Sequence, residues 1–310
     1  MEKREVDVII PTFRPDEGLI TLLELLEQQT LAPGRIIIIN TKDNKGKLFF
    51  EKQQLTKRFS LVELYHISPE QFDHGKTRDL GVGYSEAPFF LCMTQDAVPK
   101  DNKLLEELWK SFEDPKVAVA YGRQLPRKGA DVLESYTREF NYPAVSGIKS
   151  KADLQRLGIK TYFCSNVCAM YRRSIYNSLG GFIKKTIFNE DMIYAAAAIQ
   201  AGYKIQYQAA AEVIHSHHYT GLQQLRRNFD LGVSQADHPQ IFAKLPSEKE
   251  GKRLVAGTIN YLRQKKKSYL IPLFFYQSGC KYLGYRLGKA YKALPKGWIK
   301  KLSMNPNYWQ

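Results

Sequence analysis

Short apolar runs rich in β-branched residues alternate along the chain with longer segments whose apolar residues recur at helical spacing. Strands are predicted over residues 6–10, 35–39, 61–67, 88–93 and 117–121. Helices are predicted between them, over residues 16–29, 47–59, 74–85 and 102–112. This alternation predicts an α/β fold with a mostly parallel sheet flanked by helices.

The pattern is less regular after residue 121. Two polar helical stretches are predicted between residues 121 and 157, followed by a strand over 167–172 and a helix over 189–201. Two short strands are predicted over 204–207 and 211–215. From residue 220 the apolar spacing is helical, which predicts a C-terminal helical extension.

Several predicted strands are followed directly by polar residues. Open parallel sheets bind ligands at the carboxyl ends of their strands. That rule selects candidate ligand contacts after the first, second and fourth strands, namely Pro11, Thr12, Arg14, Asn40, Gln95 and Asp96.

Asp96 is the candidate metal ligand in this set. The apolar strand before it delivers its carboxylate to the sheet edge, where it can hold a divalent cation that also binds a diphosphate. His215 and His217 are two residues apart at the end of a predicted strand, and in extended structure their side chains would face the same way. Neutral imidazole is a common ligand of divalent ions. The alternatives are an ordinary polar loop or helix cap for Asp96 and structural roles for the histidines.

Charged residues also open two of the predicted helices. Glu190 and Asp191 begin the helix over 189–201, where a carboxylate can act as a general base. The helix dipole alone also favours acidic residues at this position. Lys76 and Arg78 follow Gly75 at another helix start, an arrangement that binds phosphate. A solvated helix start is the alternative for the basic pair.

The positive charge is concentrated in the C-terminal region. The chain carries 46 Lys and Arg against 31 Asp and Glu, and residues 251–310 hold thirteen of the basic residues and none of the acidic ones. Such a region suits an anionic membrane surface or a nucleic acid, and a solvated basic helix is the alternative. Motifs typical of nucleic-acid-binding proteins are missing from the sequence, so nucleic acid is not an expected partner.

The cysteines and the apolar runs indicate the cellular compartment of the protein and whether the chain crosses a membrane. The four cysteines show no spacing typical of a zinc site or a disulfide framework, which favours a reducing cytoplasm. The first residues contain no apolar run of signal-peptide length. The longest apolar run near the C-terminus spans residues 269–276, whereas a membrane-spanning helix needs about 20 residues. We therefore expect a protein that does not cross a membrane.

Five sequence blocks together resemble the family-2 glycosyltransferases, whose catalytic domain has the GT-A fold. Among these, the chain most resembles bacterial rhamnosyltransferases. The resemblance spans roughly residues 5–235, and the blocks are VDVIIPTFRPDEGL, HGKTRDLGVGYSEAPFFLCMTQDAVP, NVCAMYRRSIYNSLGGF, NEDMIYAAAAIQAGYKI and AEVIHSHHYT.

The resemblance implies roles for the candidate residues. Pro11, Thr12 and Arg14 lie where the family binds the nucleotide, and Asn40 stands where most members carry an aspartate that reads the base. Lys76 and Arg78 fall in the region that helps hold the ribose and diphosphate.

The resemblance also implies the catalytic groups. Gln95 and Asp96 stand at the family's Asp-x-Asp metal motif, in the Gln-Asp form associated with rhamnosyltransferases. His215 or His217 would supply a second ligand, and Asp191 matches the catalytic carboxylate.

The implied reaction is transfer with inversion of a sugar, L-rhamnose from dTDP-rhamnose, onto a hydroxyl of a lipid-linked saccharide in cell-surface polysaccharide synthesis. The implied cofactor is Mg²⁺ or Mn²⁺. The alternatives are a UDP-hexose donor and a non-catalytic nucleotide-sugar-binding protein.

The expected organisation is a catalytic domain over residues 1–235 and a basic, aromatic-rich helical region over 236–310. Basic helices rich in aromatic residues lie in membrane interfaces. We therefore expect a cytoplasmic enzyme that is peripheral on the inner face of the cell membrane. The alternative for the tail is a helix that covers the core or forms a homodimer.

Overall fold

The computed structural model describes residues 5–243, 245 and 248–309, which divide into two compact units. The first unit comprises residues 5–125, 142–185 and 190–215. The second comprises residues 126–141 and 186–189 and the described residues from 216 onward.

The first unit is built on one sheet, to which nine strands contribute within the described residues. They are β1 (Val6–Thr12), β2 (Ile36–Thr41), β3 (Val62–Ile67), β4 (Phe89–Met93), β5 (Val98–Pro99), β6 (Val117–Leu125), β7 (Gly147–Lys149), β8 (Cys168–Arg172) and β9 (Lys204–Ile214). Their order is β3-β2-β1-β4-β8-β6-β9-β5, and β7 also pairs with β9.

The sheet is mixed. Strands β3, β2, β1 and β4 are mutually parallel, as are β6 and β9. Strand β8 is antiparallel to both neighbours, and β5 and β7 are antiparallel to β9. Because β8 runs against β4 and β6, it starts at the edge where those strands end. The α/β fold is confirmed, and the chain segment before β8 lies at the ligand-binding edge.

The helices follow the predicted alternation. In chain order they are α1 (Glu17–Glu27), α2 (Asn44–Gln53), α3 (Leu55–Arg58), α4 (His74–Tyr84), α5 (Leu104–Lys110), α6 (Val132–Asn141), α7 (Leu154–Leu157), α8 (Arg173–Ser178), α9 (Glu190–Gln200), α10 (Gly221–Asp237), α11 (Pro239–Phe242), α12 (Glu248–Gln264), α13 (Ile271–Lys289) and α14 (Lys296–Leu302). The single helix predicted over 47–59 is divided into α2 and α3. Gln54 adopts a left-handed conformation, with φ of 45°, that ends α2.

The sequence of strand β2 is apolar at consecutive positions because both faces of the strand are covered. Ile36 and Ile38 pack into the main core, together with the leucines of α1. Ile37 and Ile39 pack with Ile67 on the other face of the sheet. A central parallel strand is covered on both faces, so every one of its side chains is buried.

Gly75 in the first turn of α4 packs directly against the chain. A Cβ atom built there would lie 2.0 Å from the carbonyl oxygen of Ile183, which is a backbone atom. We expect Gly75→Ala to lower the free energy of unfolding by about 1–3 kcal/mol, because the clash displaces the helix. Urea unfolding measures the effect.

The matched control is Gly83→Ala in the same helix. No atom lies within 4 Å of a Cβ built on Gly83, so this change should be neutral or stabilising by up to about 1 kcal/mol. Equal destabilisation by both variants would contradict the packing role of Gly75.

The second unit is helical and contains α6 and α10–α14. Helices α10 and α13 approach closely through glycines: Cβ atoms built on Gly284 and Gly288 would each lie 2.1 Å from a carbonyl oxygen of α10. Among the described residues, no helix combines the length and the apolar character needed to span a bilayer. The expected domain division at residue 235 falls within α10, and it stays a prediction.

Candidate active site

The carboxyl edge of the sheet brings together side chains from distant parts of the sequence. Strands β1, β2, β4, β6 and β9 all end there, and β8 begins there. The predicted residues at 11–14, 40, 95–96 and 215 follow or end those strands. This edge is therefore the candidate active site of the first unit.

Asp191 lies in the first turn of α9 and is held by one loop. The backbone N–H of Asn166 donates to Asp191 Oδ2 at 3.0 Å, and the Asn166 side-chain amide donates to Glu190 Oε1 at 3.1 Å. Arg78 Nη1 lies 3.0 Å from the same Glu190 oxygen, and both of these side chains are buried. Asp191 itself is only partly buried, so part of its surface remains accessible.

The pKa values of the two neighbouring carboxylates, Asp191 and Glu190, are shifted in opposite directions. Burial raises the pKa of Asp191 to about 7, and the negative charge of Glu190 adds to this effect. Burial acts in the same direction on Glu190, but Arg78, His74 and the Asn166 amide outweigh it and hold the pKa of Glu190 below its ordinary value. Asp191 is consequently the group suited to exchange a proton near neutral pH.

Asp96 and His215 form a second polar pair at this edge. Strand β5 follows Asp96 and pairs with the end of β9, which brings Asp96 Oδ2 to 3.5 Å from His215 Nε2. His215 is buried and Asp96 is 43% exposed. A carboxylate oxygen and an imidazole nitrogen 3.5 Å apart can both be ligands of one Mg²⁺ or Mn²⁺ ion, and the exposure of Asp96 leaves access for a further ligand.

The two pairs are linked by the start of β8. The backbone N–H of Thr94, two residues before Asp96, donates to the Val167 carbonyl at 3.3 Å. Val167 directly follows Asn166, which holds Asp191. The sheet thus brings the predicted metal ligand and the predicted base to the same edge.

A cavity of about 510 Å³ lies beyond the end of β2. Its lining combines apolar, amide and charged side chains, and includes Asn40, Lys42, Asp43, Asn44, Lys47, Phe50, Glu51 and His66. Its position at the carboxyl ends of β2 and β3 suits the base of a nucleotide.

Asn40 lines this cavity and is held in place by hydrogen bonds to uncharged side chains. Its oxygen accepts from the Thr12 hydroxyl at 3.1 Å, and its nitrogen lies 3.2 Å from His66 Nδ1. Burial and the charge of Lys42 lower the pKa of His66, so its ring is neutral at neutral pH. A neutral network therefore stands where the resemblance leads one to expect an aspartate.

The remaining predicted donor contacts lie on the loops around the cavity. Arg14 donates to Asp43 Oδ2 at 2.6 Å, and its φ of 49° turns the loop after β1. The Gln95 amide forms two hydrogen bonds with the backbone of Phe13, at 2.8 and 3.1 Å, and so ties the loops after β1 and β4 together. Pro11 is partly buried at the end of β1, and Lys76 is exposed on α4. Their contacts with a donor stay predictions.

His217 belongs to the second unit. Its backbone N–H donates to Glu134 Oε1 at 3.0 Å, and its ring stacks on Tyr219 at 4.9 Å between centroids. Its role as a metal ligand stays a prediction.

Three residues at the candidate site were not predicted from the sequence. His66 lies beside Asn40, Asn166 holds the acidic pair, and Gln124 contacts His215. Asn166 directly precedes the strand predicted over 167–172, and Gln124 lies shortly after the strand predicted over 117–121. Neither position alone indicates a role at a site. Only the pairing of β6, β8 and β9 reveals their positions.

Comparison with known proteins identifies the family. Residues 7–180 match the model of glycosyl transferase family 2. The O-antigen chain rhamnosyltransferase RfbN of Salmonella typhimurium is 38% identical over 307 residues, which cover 98% of this chain and 96% of RfbN. The chain belongs to glycosyltransferase family 2. The O-antigen chain rhamnosyltransferase WbaN of Salmonella anatum is 40% identical over 305 residues, covering 97% of this chain and 95% of WbaN.

A solved structure supports the fold of this family-2 chain. The mannosyltransferase PcManGT from Pyrobaculum calidifontis, in complex with GDP-Man and Mn²⁺, superposes with a TM-score of 0.57. The match covers 99% of this chain and 86% of PcManGT at 13% identity, so it shows the fold alone. The predicted GT-A fold and the resemblance to bacterial rhamnosyltransferases are confirmed.

Proposed function

We propose that this family-2 chain is an inverting glycosyltransferase that moves L-rhamnose from dTDP-rhamnose to a hydroxyl of a lipid-linked saccharide in cell-surface polysaccharide synthesis. The observation that carries the proposal is similarity over nearly the whole chain to two O-antigen chain rhamnosyltransferases. The arrangement of Asp191 at the sheet edge supports a transfer reaction rather than simple binding.

In the proposed reaction Asp191 is the general base. Its carboxylate accepts the proton of the acceptor hydroxyl while the hydroxyl oxygen bonds to the anomeric carbon. The bond between that carbon and the donor's phosphate oxygen breaks, and its electron pair leaves with the nucleoside diphosphate. A single displacement from the opposite face inverts the anomeric configuration.

Two groups of side chains serve the departing diphosphate. Asp96 and His215 would hold a Mg²⁺ or Mn²⁺ ion, which supplies positive charge that neutralises the leaving group. His217 is a further proposed ligand. Lys76, exposed in the first turn of α4, can reach a phosphate from the same edge of the first unit.

A panel of donors tests the proposal. Purified protein with Mn²⁺ and a lipid-linked saccharide is incubated separately with dTDP-rhamnose, UDP-glucose, UDP-galactose and UDP-N-acetylglucosamine, and release of nucleoside diphosphate is measured. We expect release with dTDP-rhamnose and transfer of one deoxyhexose to the acceptor by mass spectrometry. Preferred turnover of a UDP-hexose would support the alternative donor. Binding of the donors without any transfer would support a non-catalytic protein.

We also propose that helix α13 places the enzyme on an anionic membrane surface. Five large apolar side chains of α13 are 46–60% exposed, namely Leu273, Phe275, Tyr276, Tyr282 and Leu283. Arg286 and Lys289 are exposed further along the same helix. Exposed aromatic residues beside basic ones favour a membrane interface, and each basic residue there contributes about 1 kcal/mol.

Flotation with liposomes that contain anionic lipid tests the membrane surface. We expect the full chain to float with these liposomes, and expect the double change Phe275→Ser with Tyr276→Ser to reduce the bound fraction strongly. Leu48→Ser, at an equally exposed position of α2 in the first unit, is the control and should float normally. Unchanged flotation of the α13 variant would contradict the proposal. If that variant instead turned a dimer into a monomer, the face would belong to a homodimer.

A further inference from the structure

Gln124 in β6 is a buried amide that contacts one of the proposed metal ligands. Its Oε1 lies 3.0 Å from His215 Nδ1. Its Nε2 donates to the Tyr142 hydroxyl at 2.6 Å and to Ser165 Oγ at 3.0 Å. Both ends of the amide are therefore engaged, and only 2% of Gln124 is exposed.

These contacts favour one position for the proton on the imidazole. The amide nitrogen faces two hydroxyl oxygens and the amide oxygen faces the ring, where it can accept a hydrogen bond from a protonated Nδ1. A proton on Nδ1 of His215 matches this acceptor, and in the neutral ring Nε2 then has the lone pair. Nε2 is the atom that lies 3.5 Å from Asp96 Oδ2. At this distance, a lone pair on Nε2 and the Asp96 carboxylate can both be ligands of one cation.

The same amide connects the ligand to the base. Ser165, which accepts from Gln124, directly precedes Asn166, whose backbone N–H donates to Asp191 Oδ2. A continuous set of contacts thus runs from His215 through Gln124 and the 165–166 peptide to Asp191. All of these residues lie in the first unit.

We propose that Gln124 is a positioning residue that holds His215 as an Nδ1–H tautomer with Nε2 directed at a divalent cation beside Asp96. The inference rests on the proposed function, since it needs the metal site. Partners of this kind typically change metal affinity by about 10–100-fold when they are removed.

The main test compares Gln124→Met, which is similar in size and has no amide, with Gln124→Glu, which can still accept from Nδ1. Affinity for Mn²⁺ alone is measured by electron paramagnetic resonance, and the His215 tautomer by ¹⁵N NMR of the metal-free protein. We expect Gln124→Met to weaken Mn²⁺ binding about 10–100-fold and to lose the pure Nδ1–H form. Gln124→Glu should restore both.

Two controls separate positioning from general damage. Gln200→Met removes another amide that donates to a tyrosine, Tyr162 at 2.5 Å, and should leave Mn²⁺ affinity unchanged. In a His215→Ala background, Gln124→Met should cause no further loss, because the ligand that it positions is gone.

The outcomes distinguish the proposed metal site from the proposed positioning role of Gln124. If His215→Ala leaves Mn²⁺ affinity unchanged, the metal site of the proposed function is wrong. If His215→Ala weakens binding but Gln124→Met does not, only the positioning role is wrong. Wild-type His215 protonated on Nε2 instead of Nδ1 would also overturn the positioning role.

Discussion

Replacing Asp191 with asparagine should abolish most turnover while leaving donor binding intact. Asparagine keeps the shape of the side chain but cannot accept the acceptor's proton, and loss of such a group typically costs about 10²–10⁴-fold in rate. The dissociation constant of dTDP, measured by calorimetry, should change little. Unchanged turnover would remove Asp191 from the base role.

The pH dependence of the wild-type enzyme provides a second measurement of the same role. Burial and the neighbouring Glu190 raise the pKa of Asp191 to about 7, and the ionised form is the base. Turnover at saturating substrates should therefore fall as the pH decreases through about 7 and level off above it. A flat profile across this range would indicate a different base.

The change Arg78→Met should have the largest effect on stability. It leaves the buried carboxylate of Glu190 without the guanidinium that lies 3.0 Å away, next to the partly buried Asp191. Breaking a buried ion pair by removing one partner typically costs about 3–5 kcal/mol. Urea unfolding near neutral pH measures the loss.

The sign of the pH dependence follows from Glu190. The pKa of Glu190 is lower in the folded protein than in the unfolded chain. The ion pair therefore stabilises the fold fully at pH values above the unfolded pKa. This stabilisation is lost as the pH falls through the folded pKa. The difference between Arg78→Met and the wild type should shrink accordingly in acid.

Two further variants check the cause. Arg58→Met breaks the exposed pair with Glu24 and should cost about 1 kcal/mol or less. Adding Glu190→Gln to Arg78→Met should recover part of the stability, because it removes the unpaired charge. A loss no larger for Arg78→Met than for Arg58→Met would contradict the compensating role of Arg78.

The first half of the sheet was predictable because its pattern is local. Four consecutive isoleucines in β2 can only be buried on both faces, and the helices between the strands show clear apolar spacing. The last strand was harder. The sequence predicts two short strands, whereas β9 is one strand whose pairing with β6 shifts register twice, between Val117 and Val119 and between Gly122 and Arg123. The small residues Ala209–Ala211 in β9 look like a break when read without their partner.

The candidate site was predictable where a residue ends a strand. Asp96 and Asn40 became candidates because they follow predicted strands, and Asp191 because it opens a predicted helix and matches the family's catalytic carboxylate; their roles stay predictions. Gln124 was missed because the strand predicted over 117–121 continues to Leu125, and the partners of its buried amide, Tyr142, Ser165 and His215, lie far along the sequence.

Arg78 shows the limit of local interpretation most clearly. Its place near the start of a helix predicts a phosphate contact, but its described partners are the His74 carbonyl and Glu190, which lies far along the sequence. No local pattern reveals such a pairing. Direct contact between Arg78 and a diphosphate stays a prediction.

A crystal structure with dTDP and Mn²⁺ bound would test most directly whether one cleft holds both the leaving group and the base. We predict Mn²⁺ coordinated by Asp96, His215 and a diphosphate oxygen, and the thymine in the cavity beside Asn40. We also predict that the Asp191 carboxylate is open to the same cleft. A diphosphate or Mn²⁺ bound away from Asp96, with Asp191 facing a different surface, would contradict these predictions.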